Sequence, residues 1–209
     1  MTKILPKQFY NRKTLQIAQD LLGCFLVREI DGQKIRAMIV ETEAYNGPLD
    51  KASHASRGET ERNAPMFNEA GIIYVYLIYG MHSMLNIVTE GKGYPAAVLI
   101  RAVDFDSLIT YHISHNKTKE AKPPIGGLAS GSAAGKGPAK LTKALKIDRS
   151  FNKLPIYTKK HGLWIEDRAP DMKLGKIVKA KRVGIDYALE YRDKLWRFYL
   201  SDNKNVSKK

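Results

Sequence analysis

CFLVREIDGQKIRAMIVETEAY, residues 24–45, is a pair of β-rich runs around Asp31 and Gly32. An Asp-Gly pair between apolar runs signals a two-residue hairpin, because its two central residues must adopt positive φ. Side chains alternate across a strand, which places residues 35, 37, 39, 41 and 43 on one face. Glu41 and Glu43 would then continue the apolar row of Ile35, Ala37 and Ile39. A buried carboxylate is costly unless something compensates it, so this strand needs a cationic partner. AAVLIRAVDF (96–105) offers one, with Arg101 in the middle of another strand of buried character. From the residues alone two readings stand. The trio is a structural salt bridge tying two strands, or a carboxylate and a guanidinium hold a water between them, with the carboxylate as general base.

The neighbouring segments supply a scaffold. NRKTLQIAQDLLG (11–23) reads as a helix with Asn11 as N-cap and Gly23 as its stop. Residues 46–70 are rich in Gly, Pro, Asn, Asp and Ser and follow neither period, which predicts a long irregular loop of the kind that carries function or is disordered. GIIYVYLIYGMHSMLNIVTEG (71–91) is β-rich on both sides of Gly80 and predicts a hairpin with its tip there. A short helix is expected over 108–119 and a flexible Gly/Ala/Ser loop over 122–137. GSAAGKG within that loop is no phosphate loop: its glycine spacing is one residue short and Gly137 replaces the magnesium-binding hydroxyl residue. GPAKLTKALKI starts a helix at Pro138, and three short strands follow in GLWIEDRAP, KIVKAKRVGID and LWRFYL.

With 209 residues, 44% of them hydrophobic, the chain suits one domain with a proper core. The expected fold class is α+β: a single mixed domain, 1–209, with a curved antiparallel sheet, flanking helices and a protruding β-hairpin. Residues 1–10 and 201–209 are expected as loose tails. Thirty-five Lys and Arg against 21 Asp and Glu give a net charge of +14, so nucleic acid is the first partner to consider. Cys24, the single cysteine, sits in LLGCFLV as a small buried hydrophobe. No metal cluster, cofactor motif, signal core or run of membrane-spanning length is apparent, and a cytoplasmic monomer is expected.

Several other residues could carry chemistry. Tyr79 precedes Gly80 at the hairpin tip, beside Met81 and His82. Either the tip folds back on the domain or Tyr79 is a wedge for a base stack. Tyr45, Tyr74 and Tyr76 are core aromatics or the walls of a stacking pocket. His54 reads as an exposed loop residue, and Asn86 as a satisfied amide within a strand.

Taken in order, VETEAY, the His and Arg-Gly that follow, ERN, MF, YVYLIYGMHSMLNIV, VLIRA, GPAKLTKAL, RVGIDYA and RFYL resemble the alkyladenine, or 3-methyladenine, DNA glycosylase family in its bacterial type. The resemblance runs from about residue 22 to 200 and skips mainly 104–135. It implies a monofunctional enzyme that flips a damaged purine out of double-stranded DNA. Glu43 would be the general base for water attack on C1′, with Arg101 and the backbone carbonyl of Val183 holding that water. Tyr45 would stack on the extruded base, with His54 at a second side and Tyr76 as the opposing wall. Asn86 would disfavour guanine, and Tyr79 would fill the gap in the duplex. Glu61 stands where the family pattern has proline. The residues also allow a carbohydrate hydrolase using both glutamates, whose Cα atoms would be about 6.6 Å apart two residues along a strand. A catalytically silent nucleic-acid-binding module is a further alternative.

Overall fold

Fourteen residues of one strand organise the molecule. In the computed structural model, which describes residues 2–105 and 133–209, β2 (Gln33–Asn46) pairs with three antiparallel neighbours. β1 (Phe25–Ile30) lies along its first half through the predicted hairpin, with Ile30 opposite Gln33. Asp31 and Gly32 have φ of 51° and 76°, as this turn requires. β3 (Ile73–Ile78) and β4 (His82–Val88) form the second hairpin, and β5 (Ala96–Asp104) joins β4 to β2. β6 (Leu163–Glu166) pairs with β1. β7 (Ile177–Ala180) pairs with β8 (Arg197–Leu200), which takes the edge of β2 at Glu41–Glu43 left free by β1. Among the described residues the result is one domain with a curled eight-stranded antiparallel sheet and few helices, α1 (Lys7–Tyr10), α2 (Thr14–Asp20) and α3 (Pro138–Ala144).

β2 does not keep its alternation. Its register against β5 is irregular between Ile39 and Thr42, and the face turned to the core changes there. Ala37 and Ile39 before the break and Val40 and Ala44 after it all belong to the same core cluster. Thr42 also points that way, donating to the carbonyl of Ala18 in α2 at 2.6 Å. The expectation that Glu41 and Glu43 share the face of Ile35, Ala37 and Ile39 is therefore corrected. A bulge-type irregularity re-aims side chains, and this one turns both glutamates away from the apolar row.

Other expectations change for equally local reasons. Asn11 is not the N-cap of α2; that position is Lys13. The N–H and hydroxyl of Thr14 donate instead to Glu90 Oε1, at 3.0 and 2.8 Å, so the helix start is satisfied from the end of β4. The termini are packed and are not loose. Leu5 and Tyr10 are buried, and Ile4 bridges to Glu166. At the other end Asn205 and Val206 are buried, Asn205 Nδ2 donates to Asp104 Oδ1, and the Ser207 amide donates to Glu41 Oε2 at 2.7 Å. The helix expected over 108–119 and the loop up to residue 132 lie outside the described residues. At the loop's end, Gly135 lies so close to β5 that a Cβ there would meet the Val103 carbonyl oxygen at 1.9 Å. Among the described residues no helix is long and apolar enough to cross a membrane.

Removing residues 204–209 should lower unfolding stability by about 3 kcal/mol or more, since it exposes the Val206 site and strips a donor from a buried carboxylate. Chemical denaturation checks this; an unchanged midpoint and slope would show that the tail contributes nothing.

Candidate active site

The two glutamates have different surroundings although each is fully buried. Glu41 is clamped on every side. Arg101 Nε donates to its Oε1 at 3.2 Å, Arg197 Nη1 to the same oxygen at 2.9 Å, and the Ser207 amide to Oε2. Glu43 receives the Val183 amide on Oε1 at 2.7 Å, lies 3.3 Å from Arg101 Nη1 through that same oxygen, and accepts the Tyr45 hydroxyl on Oε2 at 3.0 Å. Arg101 thus bridges both carboxylates. Burial alone would lower its pKa, but Glu43 and then Glu41 outweigh burial and raise it.

In front of Glu43 lies a pocket of about 190 Å³, room for roughly six waters at the liquid volume per molecule. Tyr45, His54, Tyr74, Tyr76, Asn86, Arg101 and Val183 all line it, so the predicted residues converge except Tyr79 and Glu43 itself, which sits just behind the wall. His54 belongs to a 3-10 turn (His54–Arg57) in the irregular segment and is half-buried. Its Nδ1 is 2.9 Å from Tyr74 Oη, and its ring meets Tyr76 edge-on at 4.4 Å. The exposed-loop reading of His54 is thereby corrected. Burial, helped by the nearby Arg62, pushes its pKa down to about 4. The ring is therefore neutral near pH 7. Burial also raises the tyrosines, Tyr74 to about 12 and Tyr76 further. Tyr45 is raised by burial and then by Glu43, so its phenol is the donor in the contact with Glu43.

Asn86 turns its amide N–H₂ to the carbonyls of Tyr74 and Met84, at 3.2 and 3.1 Å. That network fixes the amide orientation. Tyr79 stands at the tip of the β3–β4 hairpin, 90% exposed, with φ 51° beside Gly80 at 70°.

Four contributors were missed from the sequence. Asp50 and Arg182 form a fully buried bidentate pair, Nη1 to Oδ2 at 2.5 Å and Nη2 to Oδ1 at 2.8 Å. The same guanidinium donates to the Ala44 carbonyl and lies 4.9 Å from the Tyr45 ring. Neither residue interrupts an apolar pattern, so only an Arg preceding Val183 hinted at it. Arg62 faces Tyr76 at 5.5 Å and, like the largely exposed Tyr187, lines the pocket. Among the described residues no group of His, Cys, Asp and Glu could hold a metal ion.

The sequence model of a family described as "Methylpurine-DNA glycosylase (MPG)" matches residues 8–204. The chain belongs to that family. It is 43% identical over 206 residues to a protein of Clostridium perfringens (strain 13 / Type A), covering 98% of this chain and 99% of that one. It is 44% identical to proteins of Methanocella arvoryzae, covering 99% and 96%, and of Desulfitobacterium hafniense, covering 99% and 100%. Each of these relatives bears the name 3-methyladenine DNA glycosylase on a provisional basis. Membership supports a DNA glycosylase, and the motifs that carried the resemblance are those that assemble the pocket.

The depressed His54 pKa makes a stability prediction for this glycosylase. The unfolded state binds the proton more readily, so the contribution of neutral His54 is complete above about pH 6.5 and is lost as pH falls toward about 4. Over that window the wild type should lose up to about 3 kcal/mol more than His54→Gln. Denaturation curves of the two proteins from pH 7 to 4 test it, and parallel losses would contradict it.

Proposed function

We propose that this chain is a monofunctional glycosylase that excises 3-methyladenine, hypoxanthine and related alkylated or deaminated purines from duplex DNA, the first step of base excision repair. The observation that carries the reading is Glu43: one carboxylate, buried at the back of an aromatic pocket and fixed by the Val183 amide, Arg101 and Tyr45. In the reaction the damaged nucleotide swings out of the stack and its base enters between Tyr45, His54 and Tyr76. Extrusion costs a few kcal/mol, least for damaged or mispaired bases, and aromatic stacking offsets it. Glu43 takes a proton from water as the water oxygen bonds to C1′. The bond from C1′ to the purine nitrogen breaks and its electron pair leaves with the base. Negative charge beside the oxocarbenium-like sugar stabilises the transition state. Arg101 and the backbone carbonyl of Val183 orient the water, and Asn86 crowds the position of a guanine 2-amino group.

No lysine is among the described residues lining the pocket, which supports water as nucleophile and argues against the Schiff base needed for associated strand cleavage. The products are then free base and an intact abasic site. Tyr79 suits the gap left in the duplex: a bulky, exposed side chain at positive φ is held at a cost of about 1 kcal/mol, as functional residues often are. A carbohydrate hydrolase using both glutamates finds no support, because Glu41 is buried against two arginines and the Ser207 amide and does not line the pocket. A silent binding module needs neither the pocket nor a buried carboxylate behind it. The protein would act as a monomer on chromosomal DNA in the cytoplasm.

Incubation with methylated duplex and with a hypoxanthine-containing duplex should release free purine from both, leaving strands that break only on alkali treatment. Nicks before alkali would overturn monofunctional action, and no release by folded protein would favour the binding module. Tyr79→Ala should weaken binding to lesion-containing duplex at least about tenfold more than binding to undamaged duplex, the expected scale for losing an inserted aromatic. Equal losses in a titration of both duplexes would remove the wedge role. Affinity for either duplex should fall steeply with salt, since phosphate contacts release counterions.

A further inference from the structure

A general base must touch the water it activates, and Glu43 as arranged here cannot. Its relative exposure is 0%, so no surface of the carboxylate is open to a water. Oε1 is occupied by the Val183 amide and the Arg101 guanidinium. Oε2 has one partner, the Tyr45 hydroxyl at 3.0 Å. Tyr45, Arg101 and Val183 form the pocket wall directly in front of the carboxylate. Of these three, Val183 and Arg101 sit on the oxygen that is already doubly engaged. Arg101 is further tied to Glu41 and to Ser207 Oγ. Tyr45, half-buried like Val183, is the one of the three whose contact with Glu43 runs through a side-chain hydroxyl on Oε2, and its ring is backed by the Arg182 guanidinium.

We propose that the Tyr45 hydroxyl is a reversible cap on Glu43, and that a base entering the pocket shifts the Tyr45 ring, breaks this contact and opens Oε2 to the attacking water. This rests on the glycosylase reading of the site and assigns Tyr45 a second task there: its ring takes the base while its hydroxyl keeps Glu43 dry until the base arrives. Tyr45 is in this respect a positioning residue, acting through Glu43. The cap couples lesion entry to the appearance of the nucleophile, since the contact is lost only when the ring moves. The charged and titratable groups facing Glu43 are Arg101 from β5, Tyr45 on β2 itself and Tyr76 from β3, with Arg197 of β8 in the opposite register position and turned to Glu41. Replacement of the hydroxyl therefore removes one donor and leaves every formal charge in place.

The test is the pH dependence of the second-order rate constant for purine release (kcat/KM, duplex well below saturation) from methylated duplex by wild type and Tyr45→Phe, which reports the free enzyme, where the cap is closed. A cationic methylpurine leaves without being protonated, so the acid limb reports the ionisation of the base. Phe retains the ring that stacks and lacks the cap. The acid limb should move to higher pH in the variant, because the ionised carboxylate loses a donor. The plateau above that limb should fall by less than about tenfold, because Tyr45 also takes the base and its ring is retained. An unmoved limb, or a fall of more than tenfold in the plateau rate, would overturn the cap and leave the hydroxyl either idle or needed in the chemical step itself. Should Tyr45→Phe fold poorly, a crystal structure of wild type with a duplex carrying a non-cleavable flipped purine decides the matter. The hydroxyl is expected beyond hydrogen-bond reach of Glu43 with a water on Oε2; a contact still near 3 Å would contradict the proposal. Absence of purine release by wild type would count against the glycosylase reading, whereas release with an unshifted limb counts only against the cap.

Discussion

The break in β2 between Ile39 and Thr42 is the constraint from which the site follows. An unbroken strand would keep Glu41 and Glu43 on the side of Ala37 and Ile39, within the main core, where neither cations nor a pocket await them. The irregularity exchanges the faces, so Val40, Thr42 and Ala44 pack toward α2 while the glutamates meet β5, β8 and the turn at Val183. Burying two carboxylates this close is tolerable only because Arg101 spans both and Arg197 adds a second guanidinium on Glu41. Removing one partner of such a network leaves an uncompensated buried charge, so the local fold and the charge pattern require each other.

Within that network the labour is divided. Glu41 ties together β2, β5, β8 and the C-terminal residues, away from the pocket wall. Glu43 lies behind the pocket and shares its donors with the pocket wall. The Asp50–Arg182 pair extends the same logic one layer further. It joins the irregular segment to the turn that supplies the Val183 amide, and its guanidinium lies against the ring of Tyr45. Tyr45, Glu43 and the Val183 amide are therefore held by two sets of ion pairs joined through the Tyr45 side chain and the Val183 turn.

Much of this was legible in the chain because local chemistry demanded it. Asp31–Gly32 could hardly be anything but a tight turn, Pro138 suits only a first helical turn, and Arg101 in an apolar strand announced a carboxylate partner. Other features depended on residues far apart in sequence. Thr14 finds its cap 76 residues away at Glu90, which no local signal at Asn11 could reveal. The tail at Asn205–Ser207 looked loose since its polar composition says nothing of Asp104 and Glu41. The face exchange in β2 has no signature in an alternation that reads smoothly from Ile35 to Glu43. His54 lies in a segment whose composition spells exposure, and its half-burial against Tyr74 and Tyr76 arises from tertiary packing. The roles of Tyr45, Tyr79 and Asn86 were suggested by resemblance; their residue types alone read by default as a core aromatic, a tip folded back on the domain and a satisfied amide.

The division between the glutamates is the central claim, and a crossed comparison of Glu41→Gln and Glu43→Gln tests it most directly. For each variant, unfolding stability and single-turnover purine release per folded molecule are measured alongside lesion binding. Glu43→Gln should retain binding and lose release by at least about a hundredfold, the scale of a missing general base. Glu41→Gln should lose several kcal/mol of stability, as expected for orphaned buried arginines, while its folded fraction keeps its rate within a few fold. Release that survives in Glu43→Gln, or disappears in well-folded Glu41→Gln, would contradict the assignment.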